Sequence, residues 1–206
     1  MISLGISSLG MIKQDQWANI LAALFDGFAI QPISANKTPK NLDFIMFDGG
    51  SDVTPMLYGE NLGKYTSCNP KRDILERFIF KHYYHTPTKY IGICRGSQFL
   101  NVMMNGTLNQ HIQDHGGFHR VDKTNIDTEL DKYIPKEAFG VNSTHHQAVK
   151  DVGALLIPTI VHSMFRTVEG IETLPGFGDK IRAVQCHPEG LGFDVAISLL
   201  KYLFRI

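Results

Sequence analysis

The first hundred residues alternate short apolar runs with stretches of helical spacing. Ile2 to Ser7 suits a buried strand. Asp15 is placed to N-cap a helix reaching Phe25, with Trp17, Ile20, Leu21 and Leu24 on one stripe. Phe28 to Ile33 and Asp43 to Phe47 read as two further strands, the second running straight into Asp48-Gly49-Gly50-Ser51. Prolines and glycines mark a loop up to Pro70. Arg72 to His85 has helical spacing, with Ile74, Leu75, Phe78, Ile79 and Tyr83 sharing a face. Tyr90 to Ile93 is a strand followed at once by Cys94-Arg95-Gly96, and Ser97 to Met104 is a helix stopped by Asn105-Gly106. Residues 109–140 are polar and show no clean period. Beyond them, Ala154 to Val161, Met164 to Glu169 and Ile181 to Cys186 read as strands, and Asp194 to Phe204 as an amphipathic helix.

Strands alternating with helices predict an α/β fold with a parallel sheet covered on both faces. Sites in such sheets lie at the carboxyl ends of the strands. Gly49-Gly50, Cys94, and His187 with Glu189 all fall at such ends. With no repeat or linker to divide it, the chain reads as one domain over 1–206.

Composition narrows the function. Twenty Lys+Arg balance twenty Asp+Glu, and the net charge of zero argues against a protein whose main work is gripping nucleic acid. No apolar window reaches the ~18 residues of a membrane span, and the N-terminus lacks the pattern of a secretory leader. The three cysteines, Cys68, Cys94 and Cys186, form no CxxC pair. These features predict a cytoplasmic protein with free thiols and no nucleic-acid or membrane partner.

Ile91-Gly92-Ile93-Cys94-Arg95-Gly96-Ser97 is the most informative stretch. Gly-x-Cys-x-Gly between a strand and a helix is the sulfur counterpart of the Gly-x-Ser-x-Gly elbow, in which a sharp turn lifts the nucleophile clear of the sheet. A helix start behind Cys94 favours a thiolate, and the Arg95 backbone N–H is aimed where an oxyanion forms. A thiolate needs a base, and His187 ends another strand with Glu189 two residues on, past Pro188.

Gly92-Ile93-Cys94-Arg95-Gly96 with Gln98, followed by His187-Pro188-Glu189, resembles the class I glutamine amidotransferases. The likeness is to their gamma-glutamyl hydrolase branch, the C26 peptidase-like group that includes gamma-glutamyl-gamma-aminobutyrate hydrolases. Gly49 through Val53, Tyr58-Gly59-Glu60, Arg72-Asp73 with Glu76, Leu100 to Val102, and Val141-Asn142-Ser143 with His145-His146-Gln147 fit the same branch in the same order. The resemblance implies a flavodoxin-like three-layer sandwich with a mostly parallel central sheet. It makes Cys94 the nucleophile, His187 the base and Glu189 the orienting carboxylate. Gly50 and Arg95 become the oxyanion-hole donors, and Gly49, Gln98, Ser143 and His146 the substrate-binding residues. It implies no metal and no cofactor. Cys186 stands where the branch has a bulky aromatic, which predicts a reshaped pocket mouth, and Asn105 replaces a glycine.

Two activities share this machinery. One is hydrolysis of a gamma-glutamyl amide by the chain alone. The other is a glutaminase that passes ammonia to a synthetase partner. A third reading, a catalytically silent binding module, is disfavoured because Cys94, His187 and Glu189 are all present. Self-association as a homodimer stays open.

The remaining polar clusters read more plainly. His145 and His146, taken as neighbours on a strand, would point to opposite faces, one to the pocket and one to solvent. His111, Asp114, His115 and His119 read as a polar loop flanking the site. Arg72, Asp73 and Glu76 read as support for a helix start and its surface contacts. Cys186 reads as an unreactive thiol that becomes oxidisable if exposed.

Overall fold

A computed structural model describes the chain except residues 8–13, 26, 35, 114, 135 and 136. Its elements run β1 (Ile2–Ser7), α1 (Gln14–Leu24), β2 (Phe28–Ile33), β3 (Phe44–Phe47), α2 (Pro70–Tyr83), β4 (Lys89–Ile93), α3 (Arg95–Met103), β5 (Leu108–Asn109), β6 (Gly117–Lys123), β7 (Ala138–Ser143), β8 (Ala148–Val149), β9 (Leu156–His162), β10 (Val168–Thr173), β11 (Ile181–Val184) and α4 (Phe193–Phe204). The strands form one sheet in the order β2-β1-β3-β4-β11-β10-β9-β6-β7, with β5 and β8 beside it. From β2 to β11 all neighbours are parallel, and from β11 onward they are antiparallel.

The pleat sorts the parallel strands into two cores. Phe44 and Met46 of β3, with Ile91 and Ile93 of β4, join Trp17 and Leu21 of α1 and Leu199, Leu200 and Leu203 of α4. Ile45 and Phe47, with Tyr90, face the other way onto Ile79 and Phe80 of α2 and Phe99 and Leu100 of α3. Both faces are therefore covered, giving the three-layer, flavodoxin-like α/β sandwich. The carboxyl ends of β3, β4 and β11 lie side by side, which brings Gly49-Gly50, Cys94 and His187 to one edge.

Four details differ from the sequence reading. Helix α2 starts earlier, because Asn69 caps it by accepting from the Arg72 amide (3.2 Å) and Pro70 occupies the first turn. Its buried face is also rotated. Ile74 is 71% exposed and Phe78 44%, while Arg72, Asp73, Glu76, Ile79, Phe80 and Tyr83 are buried. The polar stretch holds a regular strand after all, β6, paired on both sides by β7 and β9. Finally, Met164 and Phe165 lie in the turn between β9 and β10 rather than in a strand; Arg166 there takes φ 57°, and the His162 amide donates to the Thr167 carbonyl to close the hairpin.

Among the described residues, no helix is long and apolar enough to cross a membrane.

Candidate active site

Cys94 occupies the bend between β4 and α3 with φ 52° and ψ −111°, in the half of backbone space that a non-glycine residue rarely enters. Its amide donates to the Val184 carbonyl (2.9 Å), anchoring the bend to β11. The helix can start here only because residue 96 is glycine. A Cβ at Gly96 would lie 1.9 Å from the Phe47 carbonyl oxygen at the end of β3. Arg95 is the first residue of α3, where a backbone N–H has no acceptor within the helix.

His187 and Cys94 border the same pocket, and His187 Nδ1 lies 2.7 Å from Glu189 Oε1. The influence of Cys94, then that of Glu189, outweighs the opposing effect of burial and pushes the imidazole up to about 10. Asn142 of β7 clamps the His187 backbone from both sides: its amide donates to the His187 carbonyl (2.9 Å) and its oxygen accepts from the His187 amide (2.8 Å). Gln185 Nε2 lies 3.6 Å from the Cys94 sulfur. Neither Asn142 nor Gln185 was singled out from the sequence for these contacts. The signals were present in the Val141-Asn142-Ser143 motif and in the third residue before Pro188.

The Gly49-Gly50-Ser51 loop is held from below by a buried ionic cluster. Arg72 donates to the Gly49 and Asp48 carbonyls (2.7 Å each) and to Glu76 (2.8 Å). Arg95 donates to Glu76, to Asp73 and to the Ser51 carbonyl (3.0 Å). Asp73 also accepts from the amide and hydroxyl of Thr54. All four charged side chains are essentially inaccessible. Arg72, Asp73 and Glu76 thus do not make surface contacts as expected, because each has an opposite charge to meet inside. Gly50 has φ 148°, and a Cβ there would lie 2.1 Å from Arg72 Nη1, so the loop requires glycine.

These elements surround a pocket of about 230 Å³ bordered by Gly50, Cys94, Arg95, Gln98 and His187, with His145, His146 and Gln147 on its far wall. Of the residues expected to bind substrate, Gln98 and His146 border it. Gln98 Nε2 donates to the Gln147 carbonyl (2.9 Å) and Gln185 Oε1 (3.1 Å). His146 Nε2 lies 3.3 Å from Asp52 Oδ2 at the mouth. Two do not border it. Ser143 is buried and its hydroxyl donates to the His115 carbonyl. Gly49 sits behind Gly50 with its carbonyl committed to Arg72. Cys186 is also absent from the lining. It is buried in the α1/α4 core, and burial pushes its thiol well up, so it neither reshapes the mouth nor offers an oxidisable surface. A larger cleft of about 610 Å³ lies at the amino ends of β3 and β4, lined by residues 39–43, 82–83 and 85–88, and no cysteine lines it.

His145 and His146 lie in the loop after β7 rather than on a strand, and both border the pocket, so the opposite-face expectation does not apply. His115 and His119 are not on a solvated loop either. His119 is in β6, and both pack against His162 and Glu169 beneath the pocket wall. Burial, above all, pulls His119 down to about 4. His111 stays at the mouth, against Tyr65 and His146, and Asp114 lies outside the described residues.

The family model of Peptidase C26 matches residues 28–189. The glutamine amidotransferase-like protein YvdE of Lactococcus lactis is 34% identical over 178 residues, covering 78% of this chain and 73% of YvdE. The gamma-glutamyl-gamma-aminobutyrate hydrolase PuuD of Escherichia coli is 27% identical, covering 84% and 74%. A glutamine amidotransferase crystal structure from Thermotoga maritima superposes with a TM-score of 0.66 at 15% identity, covering 91% and 76%, and so shares the fold.

Proposed function

Since the chain belongs to the Peptidase C26 family of glutamine amidotransferase-like proteins, we propose that it hydrolyses a gamma-glutamyl amide through a thioester on Cys94. The observation that carries this reading is one pocket bordered by Cys94, on its strained bend, and by His187, whose Nδ1 is 2.7 Å from Glu189. An imidazole raised to about 10 keeps its proton at neutral pH and so has one to give to the leaving amine.

The sulfur attacks the side-chain amide carbonyl of the gamma-glutamyl group, and the carbonyl electrons move to oxygen. The Arg95 N–H at the start of α3 and the Gly50 N–H stabilise that oxyanion; one such donor is worth about 2.7–4 kcal/mol of barrier. In a trans peptide the N–H opposes the C=O. Arg72, by holding the Gly49 carbonyl, therefore turns the Gly50 N–H away from itself. The tetrahedral intermediate collapses as His187 protonates the leaving amine. Water then attacks the thioester with His187 as base, and glutamate leaves.

The second reading, a glutaminase supplying ammonia to a synthetase, rests on the glutamine amidotransferase-like relatives. Glutamate release by the isolated chain separates the two. Rapid release from a gamma-glutamyl amine and little from glutamine supports the hydrolase. Slow release from both, accelerated by a synthetase, supports the glutaminase.

A further inference from the structure

Beneath the pocket wall, three segments bring histidines and one carboxylate together. His115 precedes β6, His119 is in β6, His145 follows β7 and Glu169 is in β10. We propose that His115, His119, His145 and Glu169 form a binding site for a divalent transition-metal ion of the zinc type.

The distances are those of a site slightly open. His115, His119 and Glu169 offer ligand atoms within 4.8 Å of one another. His119 Nε2 lies 3.8 Å, and His145 Nε2 3.7 Å, from the same oxygen, Glu169 Oε2. Ligands around a tetrahedral zinc at ~2.0–2.1 Å stand about 3.4 Å apart, so small ring movements close the shell. His115 Nε2 is 2.6 Å from the other oxygen, Oε1, and orients the carboxylate.

Hydrogen bonding supplies an independent argument. His119 Nδ1 and Nε2, His145 Nε2 and Glu169 Oε2 are all buried without a hydrogen-bond partner. Native proteins leave only a few such groups unsatisfied and scatter them, and here four share one cluster. The His145 tautomer sharpens the point. Its Nδ1 lies 2.8 Å from the Gln147 carbonyl, which can only accept, so Nδ1 carries the hydrogen. In that tautomer a metal-ligating, neutral ring would present its lone pair at Nε2 toward a carboxylate oxygen that also has only lone pairs. A cation between them satisfies both.

His162 is near but is not a ligand. Its Nδ1 accepts from the Met164 and Phe165 amides (3.0 and 3.1 Å), which puts its hydrogen on Nε2. Instead its ring packs on His119 at 4.4 Å, and Phe165 covers it at 4.8 Å. Imidazole and carboxylate together suit zinc and its first-row neighbours rather than calcium or magnesium. Along the chain only His115 and His119 stand at ligand spacing, and they read as a polar loop because His145 and Glu169 come from two distant segments. A bound ion would tie the loop carrying His145, His146 and Gln147 to β6 and β10, fixing that wall of the pocket.

The test uses Cys94→Ala, which removes the competing thiol–imidazole pair. The purified chain is stripped with a chelator, dialysed and titrated with Zn2+ by calorimetry, and its melting temperature is followed in parallel. Zinc is the probe because such sites bind it more tightly than Mn2+ or Fe2+. The expected result is one Zn2+ per chain with a raised melting temperature. Binding should weaken at least tenfold in His145→Asn and in Glu169→Gln, with folding of each checked by circular dichroism. Absence of saturable binding, or equal binding in folded His145→Asn, would overturn the site and leave a proton shared between histidine and carboxylate. Activity is not read, so the outcome is independent of the hydrolase reading.

Discussion

Arg72 on α2 donates to the carbonyl of Gly49, 23 residues earlier, at 2.7 Å, and so sets the direction of the peptide that follows. Arg72 is in turn held by Glu76, which also accepts from Arg95 beside the nucleophile. One carboxylate therefore braces both sides of the proposed oxyanion hole.

Glu76→Gln leaves two buried guanidinium groups short of a charge. Breaking a buried ion pair on one side costs about 3–5 kcal/mol, because the desolvated partner stays uncompensated. Thermal unfolding should show a clearly lower melting temperature. An unchanged one would mean that Asp73 and the backbone carbonyls suffice.

Gly96→Ala places a methyl 1.9 Å from the Phe47 carbonyl oxygen, a contact that neither rigid partner can relieve by a rotamer change. Overpacking costs about 1–3 kcal/mol even where side chains can adjust. Denaturant unfolding should give at least that loss, together with reduced activity as the Cys94 bend shifts.

Glu189→Gln keeps the shape but removes the charge 2.7 Å from His187 Nδ1. Loss of a positioned acid–base function typically costs 10²–10⁴-fold, so kcat should fall by about that factor. Circular dichroism and melting should change little, since Glu189 lies at the rim of the fold in the turn after β11.

The His187 shift makes a pH prediction whose sign can be worked out. Its folded value, about 10, lies above the ordinary histidine value of 6.5. The imidazolium that protonates the leaving amine is thus present through neutral pH and is lost as pH rises through about 10. The alkaline limb of kcat/KM should fall there. The stability that charged His187 adds follows the same direction: it is complete below the unfolded value of 6.5 and is lost as pH rises through 10. A limb near pH 7 would contradict the pairing with Cys94.

The sequence was legible where function depends on local geometry. A strand, a cysteine between glycines and a helix announce a bend whose constraint acts between near neighbours, and Cys94 sits on that bend. The parallel strands were legible because both of their faces are buried, which writes apolar runs such as Phe44 to Phe47. What was not legible is pairing at a distance. Helical spacing placed Ile74 and Phe78 inside, and the structure turns them out because the opposite face carries Arg72, Asp73 and Glu76 toward Arg95. Periodicity scores those charges as surface, since it cannot see the partner that neutralises them. Strand β6 was hidden for a related reason: its half-exposed residues lack the alternation of a two-layer strand, and its pairing comes from β7 and β9. Ser143 followed a motif into the right segment, but the strand pleat turned its hydroxyl toward His115.

The most direct test of the account is to trap the covalent intermediate. The chain is mixed with a gamma-glutamyl amine, quenched in acid during turnover, and analysed by intact-mass and peptide mass spectrometry. The account predicts an added mass of one gamma-glutamyl group on the peptide containing Cys94. The adduct should be absent in Cys94→Ala, which should also release no glutamate while melting like the parent chain. Glutamate release that persists in Cys94→Ala, or an adduct on Cys68 or Cys186 instead, would contradict it.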